Sequence, residues 1–145
     1  MTLVGWAYNQ GVTLSATDQA VYQQDVVVHR SSGDPYEEFV GGVYVLHFYV
    51  GDHCREDYGD VRFTNSTGEL AYYLWPDYDS SSARFCVRLE GADAAGALVI
   101  WYGNPTATTT SNRDAVIPIY FDFDDGSLTG WVRQDQRNSP GFTLI

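Results

Sequence analysis

Short segments in which apolar and polar residues alternate recur along the chain, separated by turn residues, and this pattern restricts the chain to an all-β fold. The clearest alternation runs through residues 83–89. Its apolar residues, which we expect to face the core, are Ala83, Phe85, Val87 and Leu89. The residues between them, which we expect to face away, are Arg84, Cys86 and Arg88. No segment shows a helical period over three turns, so we predict an antiparallel, jelly-roll-like β-sandwich of about eight or nine short strands.

Two predicted strands, residues 98–102 and 116–123, are separated by a polar connector and are expected to organise the sheets. Gly103 and Pro105 end the first of them, because glycine permits a positive φ and proline donates no ladder hydrogen bond. The other predicted strands cover residues 6–15, 20–29, 43–50, 61–64 and 70–75. Residues 43–50 are apolar on both faces, which is typical of a central strand. The residues that we expect to be buried together are Phe85, Val87, Leu89, Ile119 and Phe121.

Length and charge limit the domain organisation and the partners. The 145 residues suit one domain, which we place at residues 1–126, followed by a tail at 127–145. No run of about 18 apolar residues is present, so we predict no membrane insertion. The net charge is −11 and all eight basic residues are arginine, which makes nucleic acid and anionic lipid poor partners. The N-terminus lacks the regions of a signal peptide, so the chain either stays inside the cell or is a fragment of a longer secreted chain.

Two long motifs carry a family resemblance. Residues 101–116 read WYGNPTATTTSNRDAV and are followed by FDFDDG at 121–126, and residues 53–74 read HCREDYGDVRFTNSTGELAYYL. These motifs resemble the signature of the domain-of-unknown-function family 2341, found in archaeal and bacterial surface proteins. The resemblance implies an extracellular or cell-surface β-sandwich module, often followed by a concanavalin-A-like or laminin-G-like sandwich, within a longer secreted chain. It implies no established activity.

Cys54 and Cys86 are the only cysteines of the chain. Cys86 is expected to face away from the core and Cys54 lies in a predicted loop, so we predict a disulfide between them, as is common outside the cell. The alternative is two unrelated thiols. A catalytic cysteine would also need a histidine positioned as its base, and the sequence alone does not establish one.

Acidic residues form two candidate calcium sites, because Ca²⁺ prefers several hard oxygen ligands at short spacing. The loop at 52–60 offers Asp52, Asp57 and Asp60, and the return strand offers Asp122 and Asp124 on one face. Neither matches a defined calcium loop, and the alternative is solvated carboxylates on a strongly acidic protein. The three histidines show no zinc-ligand spacing, so calcium is the only cofactor that we consider.

Catalytic motifs are absent from the sequence: we find no G-x-S-x-G elbow, no phosphate-binding glycine loop and no H-E-x-x-H. Glu69 and Glu90 could serve glycoside hydrolysis only if the fold brought them across a cleft. We therefore expect a non-enzymatic protein, and a hydrolase is the least favoured class. Asn65 begins an Asn-Ser-Thr sequon in a turn, which is a glycosylation site if the chain is secreted.

Aromatic residues are abundant, with eleven tyrosines and four tryptophans. Tyr73 and Trp75 share one face of a predicted strand, and Tyr78 follows in the next loop. Such residues stack on sugar rings or contact proteins, and the alternative is that they fill the core. We predict a non-catalytic module that binds glycan or protein at a cell surface. The competing prediction is a subunit of a surface array or fibre, a homo-oligomer in which the tail at 127–145 joins a neighbour's sheet.

Overall fold

Eight strands and one helical turn account for the regular structure of the part of the chain that the structure describes. The structure is a computed structural model and describes residues 2–14, 21–90 and 96–117. The strands are β1 (Tyr8–Leu14), β2 (Val21–His29), β3 (Tyr36–Val40), β4 (Val43–Tyr49), β5 (Arg62–Thr64), β6 (Tyr72–Leu74), β7 (Ser82–Glu90) and β8 (Gly96–Tyr102). The helix α1 covers Arg113–Val116. The predicted all-β fold and the strand number are confirmed.

The strands form a sheet of five, in the order β3-β4-β2-β7-β6, and a sheet of three, in the order β1-β8-β5. Neighbouring strands are antiparallel except β2 and β4, which are parallel. This parallel pair arises because the chain leaves β2, forms β3 at the edge of the sheet and returns through β4 as a hairpin partner of β3. Strand β4 has β3 on one side and β2 on the other, which confirms the prediction that residues 43–50 form a central strand; β2 is the middle strand of the five.

The core lies between the two sheets. Phe85 is 1% exposed, and Val87 and Leu89 are fully buried, which confirms the predicted phase of β7. The ring of Phe85 packs edge-on against Phe63, at 5.4 Å between ring centroids, and tilted against Tyr72, at 5.7 Å. Ile119 and Phe121, the other two residues of the predicted cluster, lie outside the described residues.

The connector after β8 contains the largest local departure from prediction. Asn112 has extended backbone angles and its Oδ1 accepts a hydrogen bond from Ala115 N, so it caps α1. Asp114 in the first turn adds a favourable charge at the helix N-terminus. Val116 therefore ends a helical turn, and the predicted strand at 116–123 is wrong at its start. Its later residues and the predicted boundary at 126 lie outside the described residues. No helix in the described ranges is long and apolar enough to cross a bilayer.

The polar connector covers the edge of the larger sheet at β6. Ser111 Oγ accepts a hydrogen bond from Leu74 N at 2.8 Å, and Asn112 N donates to Tyr72 O at 2.9 Å. These two bonds occupy backbone groups of the edge strand β6, and the connector adds no further strand to the sheet. The connector therefore limits the pairing of another strand with β6. At the opposite edge, all five residues of β3 are exposed.

The two cysteines are free thiols, so the predicted disulfide is not formed. Cys54 packs into the core, whereas Cys86 alternates with the core residues Phe85 and Val87 and points to the other side of the sheet. The five-stranded sheet therefore separates the two thiols. Cys86 does face away from the core as predicted, but it is buried all the same.

We expect both thiols to react slowly with a thiol reagent in the native protein. Burial raises the pKa of Cys54 to about 11 and that of Cys86 to about 12, and the thiolate is the reactive form. Titration with Ellman's reagent, without reductant, should find two thiols once the protein is unfolded. Fewer than two in the unfolded, unreduced protein would contradict the structure.

Candidate ligand-binding face

Asp60 joins the acidic loop to the end of β8. The residue is 1% exposed, and its Oδ1 accepts a hydrogen bond from Arg55 N at 2.9 Å. Its Oδ2 accepts from Gly103 N at 2.8 Å and from Asn104 N at 3.0 Å. Its backbone carbonyl accepts from Trp6 Nε1. Because three backbone N–H groups converge on this carboxylate, Asp60 has a structural role at a junction of loops.

The other acidic residues of the loop have separate surroundings. Asp57 pairs with Arg55 at 2.9 Å and accepts a hydrogen bond from Gly59 N, and these partners hold its pKa below the ordinary value. Asp52 is exposed, with His53 as its ion-pair partner at 3.8 Å. The described residues contain no group of three or more potential metal ligands. The structure thus does not assemble the predicted calcium site from Asp52, Asp57 and Asp60, and Asp122 and Asp124 lie outside the described residues.

Arg62 and Tyr72 hold the connector at 106–112. Arg62 is 5% exposed; its Nη1 donates to Gly59 O and Val61 O, and its Nη2 donates to Thr108 O at 2.7 Å. Its guanidinium lies over the Trp6 ring, 5.3 Å from the centroid. We call Asp60, Arg62 and Tyr72 the clasp. The clasp binds the motif at 53–74 to the motif at 101–116, so these signature residues stabilise the fold.

The Tyr72 hydroxyl completes the clasp. It accepts a hydrogen bond from Thr110 N at 3.0 Å and lies 3.2 Å from Thr109 Oγ1. A buried tyrosine needs such a partner for its hydroxyl, and the connector supplies several. The threonine-rich stretch of the connector therefore supplies hydrogen-bond partners to the buried side chains of Tyr72 and Arg62.

The sequon residue Asn65 is buried. It is 6% exposed, and its Oδ1 accepts hydrogen bonds from Thr67 N at 3.0 Å and from Thr67 Oγ1 at 2.7 Å. Its Nδ2, the atom that would carry a glycan, is buried without a hydrogen-bond partner. A glycan there would have to displace packed neighbours, so the folded structure argues against the predicted glycosylation site.

The side of the larger sheet that faces away from the core, which we call the outer face, gathers most of the remaining polar and aromatic side chains. Alternate positions of the five strands contribute to it. Its polar and aromatic members include Tyr36 and Glu38 of β3, His47 and Tyr49 of β4, Gln23, Asp25 and His29 of β2, Arg84, Cys86 and Arg88 of β7, Tyr73 of β6 and Trp75 just beyond β6. This face is the candidate site.

Tyr73 and Trp75 lie together on the outer face, in agreement with the prediction that they share one face of their strand. Their rings are in edge contact, with centroids 4.9 Å apart, and both are partly exposed. The Arg84 guanidinium lies 5.4 Å from the Trp75 ring centroid and pairs with Asp77 at 2.8 Å. These two aromatic residues do not fill the core, whereas Tyr72 and Leu74, which alternate with them along the strand, do.

Tyr78, the third predicted aromatic residue, has a different neighbour. It is 39% exposed and packs edge-on against the buried Tyr58 at 5.6 Å. No ring contact joins it to the Tyr73–Trp75 pair within the described residues. The predicted group of three is therefore divided, and two of its members remain candidates for the site.

A second group on the outer face was missed by sequence reasoning. His29 Nε2 lies 2.8 Å from His47 Nδ1, and His47 Nε2 lies 2.9 Å from Glu38 Oε1. Tyr36 stacks on His47 with centroids 4.4 Å apart, and Tyr49 stacks on His29 at 4.5 Å. The three hydrogen-bonding residues come from three different strands, so no local spacing in the sequence indicates that they meet.

Burial changes the titration of two groups on the outer face. It lowers the pKa of His29 below 6.5, and the neighbouring His47 lowers it further. It raises the pKa of Asp25 above 3.8, against the opposing effect of Arg84. Because the folded state disfavours the charged form of His29, acidification through the ordinary histidine pKa stabilises the unfolded chain relative to the folded one.

Comparison with protein families gives one match. The model for the family described as Domain of unknown function (DUF2341) matches residues 57–134, more than half of the chain. The matched segment contains the clasp and the strands β5 to β8. The comparison with curated proteins gave no match, and neither did the comparison with solved structures. Since the family model covers more than half of its length, the chain belongs to the family Domain of unknown function (DUF2341).

Proposed function

We propose that the protein is a non-catalytic glycan-binding module of an extracellular or cell-surface protein, and that its ligand lies on the outer face. The observation that carries the proposal is the partly exposed Tyr73–Trp75 pair, whose rings are 4.9 Å apart on the side of the sheet away from the core. Core packing does not account for these two rings. Aromatic side chains offer a large, rigid apolar surface beside a polar group, which suits the apolar face of a sugar ring.

Polar groups beside the aromatic pair support a glycan over a purely apolar ligand. Arg84 lies over Trp75 and pairs with Asp77, so donors and acceptors for sugar hydroxyls lie next to the ring surface. The setting at a cell surface is supported by the surface-protein family that the sequence motifs resemble.

We expect the substitution Trp75→Ala to weaken oligosaccharide binding about thirtyfold or more, because a central aromatic contact contributes about 2 kcal/mol or more. Isothermal titration calorimetry with a panel of soluble neutral hexasaccharides measures this effect. Tyr78→Ala is the matched control, since it removes an exposed aromatic side chain outside the pair. Absence of binding by every hexasaccharide, or equal affinity of the Trp75→Ala variant, would contradict the proposal.

Assembly is the second candidate function, and the exposed edge strand β3 favours it. Phe39 and Val40 of β3 and Val43 and Tyr44 of β4 are all about half exposed or more. The tail at 127–145 contains two arginines and β3 contains Glu37 and Glu38, so a neighbour's tail would meet complementary charge at this edge. The tail lies outside the described residues. An oligomer in solution that becomes monomeric when residues 138–145 are removed would favour assembly over binding.

A further inference from the structure

The hydrogen bonds between Glu38, His47 and His29 fix which ring nitrogens carry protons. A carboxylate only accepts, so His47 Nε2 donates to Glu38. In a neutral His47 ring, Nδ1 is then an acceptor, and His29 Nε2 must be the donor to it. This leaves His29 Nδ1 without a proton. We call this chain of three side chains the relay, and its free end is His29 Nδ1.

The free end of the relay is available to a ligand. His29 is partly exposed, and His29 Nδ1 makes no hydrogen bond to any of the described residues. His47 is buried, and its ring lies against Tyr36. His29 is supported in the same way by Tyr49. The stacking holds both rings in place, so the end that points away from His47 is a fixed polar group on the outer face.

We propose that His29 Nδ1 is a ligand contact that changes from hydrogen-bond acceptor to donor on acidification, so that the outer face binds carboxylate-bearing sugars in acid. The inference rests on the proposed glycan-binding function and specifies the ligand class. At neutral pH a sugar carboxylate meets a lone pair at His29 and the negative charge of Glu38, both of which repel it. In acid the same position presents an N–H group.

One added proton produces this change. The proton binds His29 Nδ1, the proton on His29 Nε2 passes to His47 Nδ1, and His47 becomes an imidazolium. One N–H bond has formed at His29 Nδ1, one has broken at His29 Nε2 and one has formed at His47 Nδ1. The positive charge then lies beside the Glu38 carboxylate, where it is stabilised, and His29 stays neutral. The lowered pKa of His29 agrees with this placement of the charge.

The titratable and charged groups around the relay are few. From β3 they are Tyr36 and Glu38, from β4 Tyr49, from β2 Asp25 and from β7 Arg84, which is opposite Val27 on the adjacent strand. Arg84 attracts a ligand carboxylate and Asp25 repels it. The acceptor-to-donor change at His29 Nδ1 is therefore the source of the pH dependence that we propose.

Nitrogen-15 NMR of the histidine rings in the ligand-free protein tests the relay itself. Between about pH 8 and about pH 5.5, where histidine titrates, His29 Nδ1 should change from the shift of a bare ring nitrogen to that of a protonated one, while His29 stays neutral. Glu38→Gln should move this transition to lower pH, because the imidazolium loses its counter-charge. His53→Gln, which changes an exposed histidine outside the relay, should leave it unmoved. A protonated Nδ1 at pH 8, or no transition, overturns the inference.

Binding of an oligogalacturonate and of a neutral hexasaccharide tests the ligand class. Oligogalacturonate should bind about tenfold more tightly at about pH 5.5 than at about pH 8, in the wild type and in His53→Gln alike. His29→Phe keeps a ring on Tyr49 but has no ring nitrogen, so it should lose this pH dependence. The neutral sugar should bind about equally at both pH values.

The outcomes of this experiment separate the two proposals. Binding of the neutral sugar through Trp75, without tighter oligogalacturonate binding in acid, keeps the proposed function and overturns the role of His29. Absence of all sugar binding at both pH values overturns the proposed function, and with it the role of His29 as a ligand contact. In that case the NMR titration still decides whether the relay moves its protons as described.

Discussion

Replacing Asp60 with alanine is expected to lower the free energy of unfolding by about 4 kcal/mol or more. The substitution removes the acceptor of three backbone N–H groups, those of Arg55, Gly103 and Asn104, at a position that is 1% exposed. Each hydrogen bond to a charged group contributes about 1.5–3 kcal/mol, and buried donors left without a partner carry the full desolvation cost. A loss of this size is a large fraction of the stability of an ordinary domain.

Urea denaturation followed by tryptophan fluorescence measures this loss. Asp52→Ala is the matched control, because it removes an exposed carboxylate from the same loop and should change the stability by no more than about 0.5 kcal/mol. If Asp60→Ala costs less than about 1 kcal/mol, the clasp does not hold the two family motifs together. A partly unfolded Asp60→Ala protein beside a stable Asp52→Ala protein is the expected result.

Phe85→Ala is expected to cost about 3–5 kcal/mol, which is typical when a buried phenylalanine is truncated. Phe85 lies among the rings of Tyr58, Phe63 and Tyr72, so the cavity cannot be filled without moving several aromatic side chains. The same denaturation experiment measures the effect. Val40→Ala, at a half-exposed position of β3, should change the stability by less than about 1 kcal/mol. Similar losses in both variants would mean that the core does not centre on Phe85.

The strand positions could be predicted from the sequence because alternation is a local property. The phase of β7 and the shared side of Tyr73 and Trp75 both follow from a period of two. Strand β3 was missed because an exposed edge strand buries nothing and so shows no alternation: Glu37 and Glu38 occupy both of its sides. The capping residue Asn112 was overlooked in favour of the apolar residues that follow it.

The relay could not be predicted, because it depends on the order of strands in the sheet. Glu38 meets His47 only because β3 pairs with β4, and His47 meets His29 only because β4 lies parallel beside β2. Gly41-Gly42, with positive φ at both residues, is a local signal for the β3–β4 hairpin, but no local signal places β4 beside β2. The two cysteines could not be placed relative to each other for the same reason. Alternation predicts that the Cys86 side chain points away from the core, but it does not predict that the sheet separates Cys86 from Cys54.

The pairing of β1 with β8 has a consequence for the order of folding. It places Tyr8 opposite Tyr102, so the first and last strands of the described chain are direct neighbours in the smaller sheet. Contacts between residues so distant in sequence give a high contact order, and such β-proteins fold over milliseconds to seconds. During synthesis, β1 leaves the ribosome first and stays unpaired until β8 has been made. A nascent chain that is incomplete at β8 therefore leaves the backbone hydrogen-bonding groups of β1 without this partner strand.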